Sequence, residues 1–591
     1  MQHCQAVFNF FQNMQVAMIY YTLSFAQYYQ HLIQVKVRFK AQAQQKIWLP
    51  TWIPGSYLIR EFAKHIESVK ALHIGTGEAI KLHKLTKNQW QLQNTQADEI
   101  EVSYQVYAYD LSVRGAYTDD DRLYVNPAAV CIGVEGQEDS AIQLQLDVPE
   151  SLSRFELVSS MPVVEASNTT YTLNATNYHE LIDQPFELAE QTCISFDIEN
   201  ITHRIAISGR HHTDLQRLAT DLEKICAAQI RMFGEAPFKD YLFMAMATAN
   251  SYGGLEHQSS TSLITPRDDL PKSSEPAKPS VNYQRFLGLC SHEYFHAWLV
   301  KFIRPHNYVK PNLHQEDYTT LLWIFEGITS YYDDLMLYRS GVIDQNAYID
   351  LVKDQISRYL SNPGRQIQSV AESSFDAWIK YYRPDENTNN AGTSYYNKGA
   401  LIALCLDLTL RQHGSNLDLL MQALYQRAKN GQHVDEQTLP QLCQQLTGHS
   451  LSEFFDNYVD GTTELPLQQL LAEFGVSLHM EHKVWPLGLK VQENPQGLLV
   501  QQVLRDSAAA QAGLSCQDII IALNGLKANT GLLQQLGNHT NAEPRITCHA
   551  FRRDELKVLE IQGRGFMTSA AKLLIEDKNR LSQWIDHPAK L

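Results

Sequence analysis

Apolar and polar residues alternate in short runs over residues 18–200, which is the period of half-buried strands. The clearest runs are HLIQVKVRF, EIEVSYQVYAY, AIQLQLDV and CISFDI, with turn residues between them. No long helical period appears in this part of the chain. We therefore expect an N-terminal β-sandwich-like domain over residues 18–200.

Helical periodicity begins at residue 201 and continues to residue 472. DLQRLATDLEKICAAQIRMFG carries an apolar stripe at helical spacing, and YLFMAMAT is predicted to be a buried strand. A Pro-, Ser- and Lys-rich stretch at 266–280 is expected to be a surface loop. The further predicted helices lie at about 282–303, 317–338, 343–361, 395–413, 416–429 and 435–446. This pattern predicts an α-rich domain with a small sheet at its start.

Short strands return from about residue 475, where LGLKVQ, GLLVQQVL, DIIIALNG and ITCHAFR alternate with turns. The segment SAAAQAGL between them is predicted to be a helix of small residues. A third domain is therefore expected over residues 473–565, and the pattern assigns no structure to a tail at 566–591. The predicted fold class is a multidomain α+β chain.

The composition limits which partners and which cellular compartment are expected. A formal net charge of −16, with no offsetting basic cluster, argues against a nucleic-acid partner. No apolar run reaches the ~18 residues of a membrane span. Residues 1–17 lack the basic segment of a signal peptide, Met18 is an alternative start, and the nine cysteines form no CxxC. We expect a reduced, cytoplasmic chain.

The strongest chemical signal is HEYFH at residues 292–296, between the apolar flanks QRFLGLC and AWLVKF. Residues four apart share one helix face, so His292 and His296 are placed to supply two ligands of a tetrahedral zinc ion. Glu293 is then near the open metal position, where it can take a proton from water. The alternative is a helix that carries two histidines by chance. The position in the middle of an apolar helix favours one zinc ion per chain.

A catalytic zinc ion needs a third protein ligand. The metzincin pattern is excluded, because it requires a histidine six residues after His296, where Phe302 stands. Glu316 and Glu326 compete for the role. Glu316 lies at the expected start of a helix, where an acid simply favours the helix dipole. Glu326 is a lone charge on the apolar helix LLWIFEGITSYYDD and needs a partner when buried, so we favour it.

Asp333 follows Glu326 by seven residues and so lies on the same helix face. It is a candidate to accept a hydrogen bond from the ring of a ligating histidine. The alternative is an acid on the surface of the helix.

These segments resemble a known family. HEYFHAW at 292–298, followed by Lys301, Arg304 and Pro305, resembles the glycyl aminopeptidase family of gluzincin zinc peptidases. PTWIPGSY and YDLSVRGAY are similar to that family's β domain, and its W-x-x-E-G context matches Trp323 to Gly327. The resemblance covers nearly the whole chain. It implies a thermolysin-like catalytic domain at 201–472 that prefers small N-terminal residues, chiefly Gly.

Two further segments resemble substrate-contacting motifs. GGLEH at 253–257 is similar to the G-x-M-E-N segment of larger gluzincin aminopeptidases, which implies that Gly253, Gly254 and Glu256 bind substrate and that Glu256 holds its α-amine. The alternative is a glycine turn at a strand edge. YYNKG at 395–399 resembles P-Y-E-K-G, which implies that Tyr396 donates to the developing oxyanion. Tyr395 is the rival phenol, and packing in the core is the alternative.

Residues 475–565 resemble a PDZ domain. SAAAQAGL at 507–514 and DIIIALNG at 518–525 match its A-x-x-A-G-L and D-x-I-x-x-x-N-G segments. Leu487, Gly488 and Leu489 stand where that family's loop holds a peptide C-terminus. This module would recruit substrates, bind a partner or pack against the catalytic domain.

Three functions remain in view. The leading hypothesis is a zinc aminopeptidase that acts on peptides with a free N-terminus. The second is a zinc endopeptidase whose PDZ module presents unfolded chains. The third is a PDZ-based binding protein with an inactive peptidase body, although every expected ligand is present in the sequence.

Overall fold

The structure is a computed structural model that describes residues 18–537, 545–562 and 566–586. The expectations for residues 1–17, on export and on the start at Met18, lie outside the described residues. The chain divides into two compact units. The first contains Met1–Asp317, Ser340–Ile343 and Leu424–His433, and the second contains Tyr318–Arg339, Asp344–Ala423 and Val434–Leu591. Within the described ranges, no helix combines the length and apolar character needed to cross a bilayer.

The N-terminal part of the first unit is β-rich, as predicted. In Leu32–Ala41, every second side chain is buried, because successive residues of a strand point to opposite faces of the sheet. The spatial order of its large sheet is Val163–Ala166, Thr170–Ala175, Ala141–Asp147, Met18–Gln27, Leu32–Ala41, Asp98–Tyr107, Ile66–His73 and Ala79–Ile80. Two smaller sheets contain Glu156–Ser159, Phe186–Ala189, Arg122–Val125 and Ala116–Thr118, and Gly133–Val134, Lys46–Trp48, Gln89–Leu92 and Leu82–Lys84.

A mixed sheet follows and carries the site. Its order is Thr192–Ile198, Ile201–Ser208, Asp240–Thr248, Ser260–Pro266 and Gly253–Glu256. The helix Leu215–Phe233, capped by Asp214 and Gly234, packs against this sheet, as does the helix Val281–Phe295. The predicted border between residues 200 and 201 lies at the turn between two strands of this sheet. That border stays a prediction.

The helix that contains the histidine motif is shorter than predicted. It ends at Phe295, with His296 as its C-cap, and does not continue to residue 303. The backbone turns back at once, because Lys301 N donates to His296 O and Ile303 N donates to Trp298 O. The motif therefore lies in the last turn of the helix, and its expected position in the middle of the helix is wrong.

The second unit begins with α-helices, as predicted for the catalytic domain. A π-helical turn, Trp323–Gly327, precedes the helix Ile328–Arg339, so this helix begins later than the predicted residue 317. The other helices are Gln345–Leu360, Val370–Phe375, Thr388–Ala391, Asn397–Gln412, Thr438–Thr447, Ser452–Phe455 and Leu467–Glu473. A further helix, Leu417–Lys429, includes residues of both units.

The C-terminal module has the strands of a PDZ domain, as predicted. Its sheet has the order Leu489–Asn494, Gly497–Val503, Ile519–Leu523, Arg545–Arg552 and Glu555–Gln562, with Leu526–Lys527 beside Ile519–Leu523. The helices Ala508–Gln511 and Thr530–Gly537 complete it. Leu487, Leu498, Ile520 and Ile546 contribute to a continuous apolar core.

Residues 566–586 are structured, although the sequence pattern assigned them no elements. Phe566–Ile575 pairs antiparallel with Val476–Trp485, and the helix Lys578–Ile585 follows. Trp584 is fully buried, and its Nε1–H donates to the Tyr331 hydroxyl at 3.0 Å. The C-terminal helix is therefore part of the core of the second unit.

We predict that Trp584→Ala lowers the free energy of unfolding by about 3–5 kcal/mol, because it empties a buried aromatic site. Gln583→Ala is the matched control, since Gln583 is exposed and contributes its backbone carbonyl to Arg411. Urea denaturation of the full chain measures both. Equal stabilities of the two variants would contradict the packing role of Trp584.

Candidate active site

His292 and His296 converge at the end of their helix. Their Nε2 atoms lie 3.1 Å apart. Two nitrogen ligands of a tetrahedral zinc ion are expected about 3.3 Å apart, from Zn–N bonds of about 2.0–2.1 Å. The two imidazoles therefore fit neighbouring positions of one metal ion.

His296 is held in a single tautomer by the turn that follows the helix. Its Nδ1–H donates to the Leu299 carbonyl at 2.9 Å, which places the lone pair on Nε2, the tautomer that binds a metal through Nε2. The turn includes Val300 at φ 105°, a conformation that β-branched residues rarely adopt. Lys301 N closes the turn on His296 O. The sequence offered no signal for this turn.

The carboxylates of Glu293 and Glu256 each lie against a glycine residue. A Cβ added at Gly254 would overlap the carboxylate of Glu293. A Cβ added at Gly55, which also has φ +100°, would overlap the carboxylate of Glu256. Gly55 belongs to the segment PTWIPGSY, so a turn of the N-terminal β-rich part contributes directly to the site.

These side chains form a buried anionic cluster. Potential ligand atoms of Glu256, Glu293 and His296 all lie within 4.8 Å of one another. Glu256 is 3% and Glu293 is 5% exposed. Two ionised carboxylates buried at this separation repel each other, and a nearby cation relieves that repulsion. Burial, followed by the charge of Glu293, raises the pKa of the neighbouring Tyr241 well above its usual value.

The strand that carries Glu256 is also held by residues that the sequence analysis did not single out. Arg114 Nη2 donates to the carbonyl of Gly254 at 3.1 Å, at the outer edge of the sheet. Asp183 accepts from Gln258 N at 3.0 Å and from Lys301 Nζ at 2.8 Å. Asp183 therefore ties the end of this strand to the turn after the histidine motif.

The charges around Asp183 are compensated. Burial raises its pKa, but the positive charge of Lys301 and the hydrogen bond from His257 outweigh burial and hold the pKa well below its usual value. His257 Nδ1 lies 3.4 Å from Asp183 Oδ1, and burial lowers the pKa of His257. His257 thus joins the end of the strand that carries Glu256 to Asp183.

In the second unit, Glu326 and Tyr396 are brought close by a contact between glycines. Glu326 is 2% exposed and lies in the π-helical turn. A Cβ at Gly327 would lie only 2.6 Å from the Cα of Gly399, so two glycines are needed for this approach. Burial and then the charge of Glu326 raise the pKa of Tyr396 well above its usual value, so its phenol stays a donor.

Tyr396 is also the more accessible of the two tyrosines at this position. Tyr395 is fully buried, whereas Tyr396 is partly exposed. Tyr396 lines a cavity of about 280 Å³ together with Asp333 and Arg358. Asp333 accepts a hydrogen bond from Asp334 N at 2.6 Å.

The loop predicted to hold a peptide C-terminus precedes an edge strand. Leu487 and Gly488 lie in a buried turn, with φ 57° and φ 78°. Leu489 begins the strand Leu489–Asn494, which is an edge strand of the PDZ sheet among the described residues. An added peptide strand would pair with such an edge.

Comparison with known proteins places these features in families. Family models match the Peptidase M61 N-terminal domain at residues 20–190, M61 glycyl aminopeptidase at 285–402 and the PDZ domain at 476–547. A solved aminopeptidase N family protein from Idiomarina loihiensis is 38% identical, with a TM-score of 0.92, and the match covers 96% of this chain and 100% of that chain.

A mutant of a two-domain M1 zinc metallopeptidase bound to L-arginine is 14% identical, with a TM-score of 0.50. That match covers 76% of this chain and 95% of the other, and it shows a shared fold. Among curated proteins, no sequence matches the chain.

We predict that Gly399→Ala destabilises the chain by about 1–3 kcal/mol, because the new methyl group would press on the backbone of Gly327 and Trp323. Gly75→Ala is the control, since an added Cβ there meets nothing within 4 Å. Chemical denaturation compares the two. A neutral Gly399→Ala would contradict the close approach of the two helical segments.

Proposed function

The chain belongs to the M61 glycyl aminopeptidase family, and on that basis we propose that it is a zinc-dependent aminopeptidase that removes small N-terminal residues, chiefly Gly. The family and the neighbouring structure show a metallo-aminopeptidase with a C-terminal PDZ domain. The metal, the residue preference and the role of each side chain are the proposed part. The preference for Gly follows from the family.

The observation that carries this proposal is the pair of imidazole nitrogens 3.1 Å apart beside two buried carboxylates. His292, His296 and Glu326 would hold one zinc ion. The M61 glycyl aminopeptidase match spans all three residues, which supports Glu326 as the third ligand. A bound zinc ion supplies a Lewis acid that polarises the scissile carbonyl and lowers the pKa of water.

Glu293 would act as the general base. Gly254 leaves room for its carboxylate, which takes the proton of the attacking water and later delivers it to the leaving amine. Tyr396 would donate its hydroxyl hydrogen to the oxygen on which negative charge develops. Because the Nδ1 of His296 is already bonded to Leu299, Asp333 would instead accept from the ring of His292.

Glu256 would bind the α-ammonium group of the substrate. Its carboxylate lies close to that of Glu293, so an ammonium held there is near the reacting carbonyl and offsets the repulsion of the two acids. Gly253 and Gly254 would leave space for the first residue of the peptide. A peptide with a blocked amine brings no cation to this position, which favours an aminopeptidase over an endopeptidase.

The PDZ module would bind a peptide C-terminus at Leu487, Gly488 and Leu489. Its loop comes directly before an edge strand, which is the arrangement used to add a peptide strand. The occupant would be a substrate chain or a partner protein.

The decisive assay compares a panel of peptides with free and acetylated N-termini, using zinc-loaded, metal-stripped and Glu293→Gln enzyme. We expect cleavage of free peptides only, fastest for N-terminal Gly, and loss of at least about a hundredfold in Glu293→Gln. Zinc content measured in parallel should stay the same in that variant. Equal cleavage of acetylated peptides would favour the endopeptidase, and a fully active Glu293→Gln would overturn the mechanism.

A second prediction concerns the glycine behind the base. Gly254→Ala should lower kcat by about tenfold or more, because the methyl group displaces the Glu293 carboxylate by a distance comparable to its own size. Gly75→Ala is the control, since an added Cβ there meets nothing within 4 Å. Steady-state kinetics on a free Gly peptide measures both. Equal kcat values would refute the placement of Glu293 against Gly254.

A further inference from the structure

A buried asparagine, Asn390, forms hydrogen bonds between the helical part of the second unit and the PDZ module. Asn390 is 5% exposed. Its Nδ2 donates to the carbonyl of Val503 at 3.0 Å, and its Oδ1 accepts from Arg505 N at 3.0 Å. Both ends of one side-chain amide are thus used by the PDZ backbone, which fixes the position of Asn390 in two directions.

Two hydrogen bonds between side chains lie beside this attachment. Asn389 Nδ2 donates to Gln502 Oε1 at 2.9 Å, and Arg505 Nη2 donates to Asn387 Oδ1 at 3.2 Å. The short helix Thr388–Ala391 is therefore docked on residues 502–505 of the PDZ module.

Hydrogen bonds and close packing hold the chain between Asn390 and Tyr396. Gly392 N donates to Thr388 O at 2.8 Å, and a Cβ at Gly364 would overlap the backbone of Gly392. Thr393 is held on both sides, because its N–H donates to Gln368 Oε1 at 3.0 Å and its carbonyl accepts from Ser373 Oγ at 2.5 Å. The segment before the tyrosines is therefore attached at two points, to the PDZ backbone at Asn390 and to Gln368 and Ser373 at Thr393.

The same PDZ residues also contact the predicted peptide-binding loop. Leu504 N donates to the carbonyl of Gly488 at 2.9 Å. Gly488 lies in the turn that precedes the edge strand of the PDZ sheet. Residues 502–505 thus lie between this loop and the segment that leads to Tyr396.

We propose that the PDZ module positions Tyr396 through Asn390, so that Asn390 is a positioning residue for catalysis. This inference rests on the proposed role of Tyr396. Loss of the Asn390 amide removes two hydrogen bonds to the PDZ backbone, and with them one of the two attachments of the segment before the tyrosine. A small displacement of an oxyanion donor reduces the rate of the chemical step more than the binding of the substrate.

The test is a double-mutant cycle on the full zinc-loaded chain, with Asn390→Ala, Tyr396→Phe and both together. We expect Asn390→Ala to lower kcat by about tenfold with KM changed by less than about twofold. In the Tyr396→Phe background, Asn390→Ala should change kcat by less than about twofold. Asn389→Ala, which removes only a contact between side chains, is the matched control and should stay near wild-type kcat.

Each outcome decides a different point. Equal losses from Asn390→Ala in both backgrounds would show that Asn390 acts independently of Tyr396 and would overturn the inference. An unchanged kcat in Tyr396→Phe would refute the proposed role of that tyrosine, and the inference with it. If Asn390→Ala fails to fold by circular dichroism, Asn390→Asp replaces it in the same cycle, because it keeps the acceptor for Arg505 N and loses the donor to Val503. Its expected kcat lies between those of wild type and Tyr396→Phe.

Discussion

The site depends on the confinement of two carboxylates beside an imidazole in one buried volume. Glu256, Glu293 and His296 place potential ligand atoms within 4.8 Å of one another, away from water. Buried like charges repel each other, and a nearby cation relieves that repulsion. Under the proposed function, these cations are a metal ion and the ammonium group of the substrate. Cation binding and the stability of this region are therefore linked.

Close packing at glycines makes this confinement possible. Gly254 leaves room for the carboxylate of Glu293, and Gly55 leaves room for that of Glu256. Gly327, next to Glu326, contacts Gly399 in the segment that contains Tyr396. Of these four glycines, only Gly55 has a positive φ, so at the other three positions glycine permits a close contact and is not required by a turn. The glycines of the motifs GGLEH, W-x-x-E-G and YYNKG thus have a common physical role, which is to let backbone and side chains approach within the reach of a Cβ.

The β-rich part and the PDZ module each form hydrogen bonds that hold segments carrying candidate site residues. In the first unit, Arg114 and Asp183 from the β-rich part hold the strand of Glu256. In the second, the PDZ module holds the segment before Tyr396 through Asn390. Under the proposed function, the outer domains would serve chemistry as well as recognition, since catalytic groups must be held within a fraction of an ångström.

Local patterns in the sequence determined a large part of this protein. Alternation predicted the strands before residue 190, helical spacing predicted most helices, and four-residue spacing predicted that His292 and His296 share a face. These features depend on neighbours within a few turns of backbone, and periodicity reports them directly. The lone charge of Glu326 on an apolar helix singled it out as the third ligand, and the family resemblance, now confirmed, supported it. Two further motif resemblances added Glu256 and Tyr396 as site candidates.

Tertiary structure alone decided the rest. The helix of the histidine motif ends at Phe295 because the following turn bonds back to it, although its apolar pattern continues. The pairing of Gly55 with Glu256 and of Asp183 with Lys301 joins residues far apart in the chain. Residues 566–586 show no strong period, yet Trp584 is buried in the core. Such contacts depend on which surfaces meet after folding, and a local pattern carries no record of the distant partner.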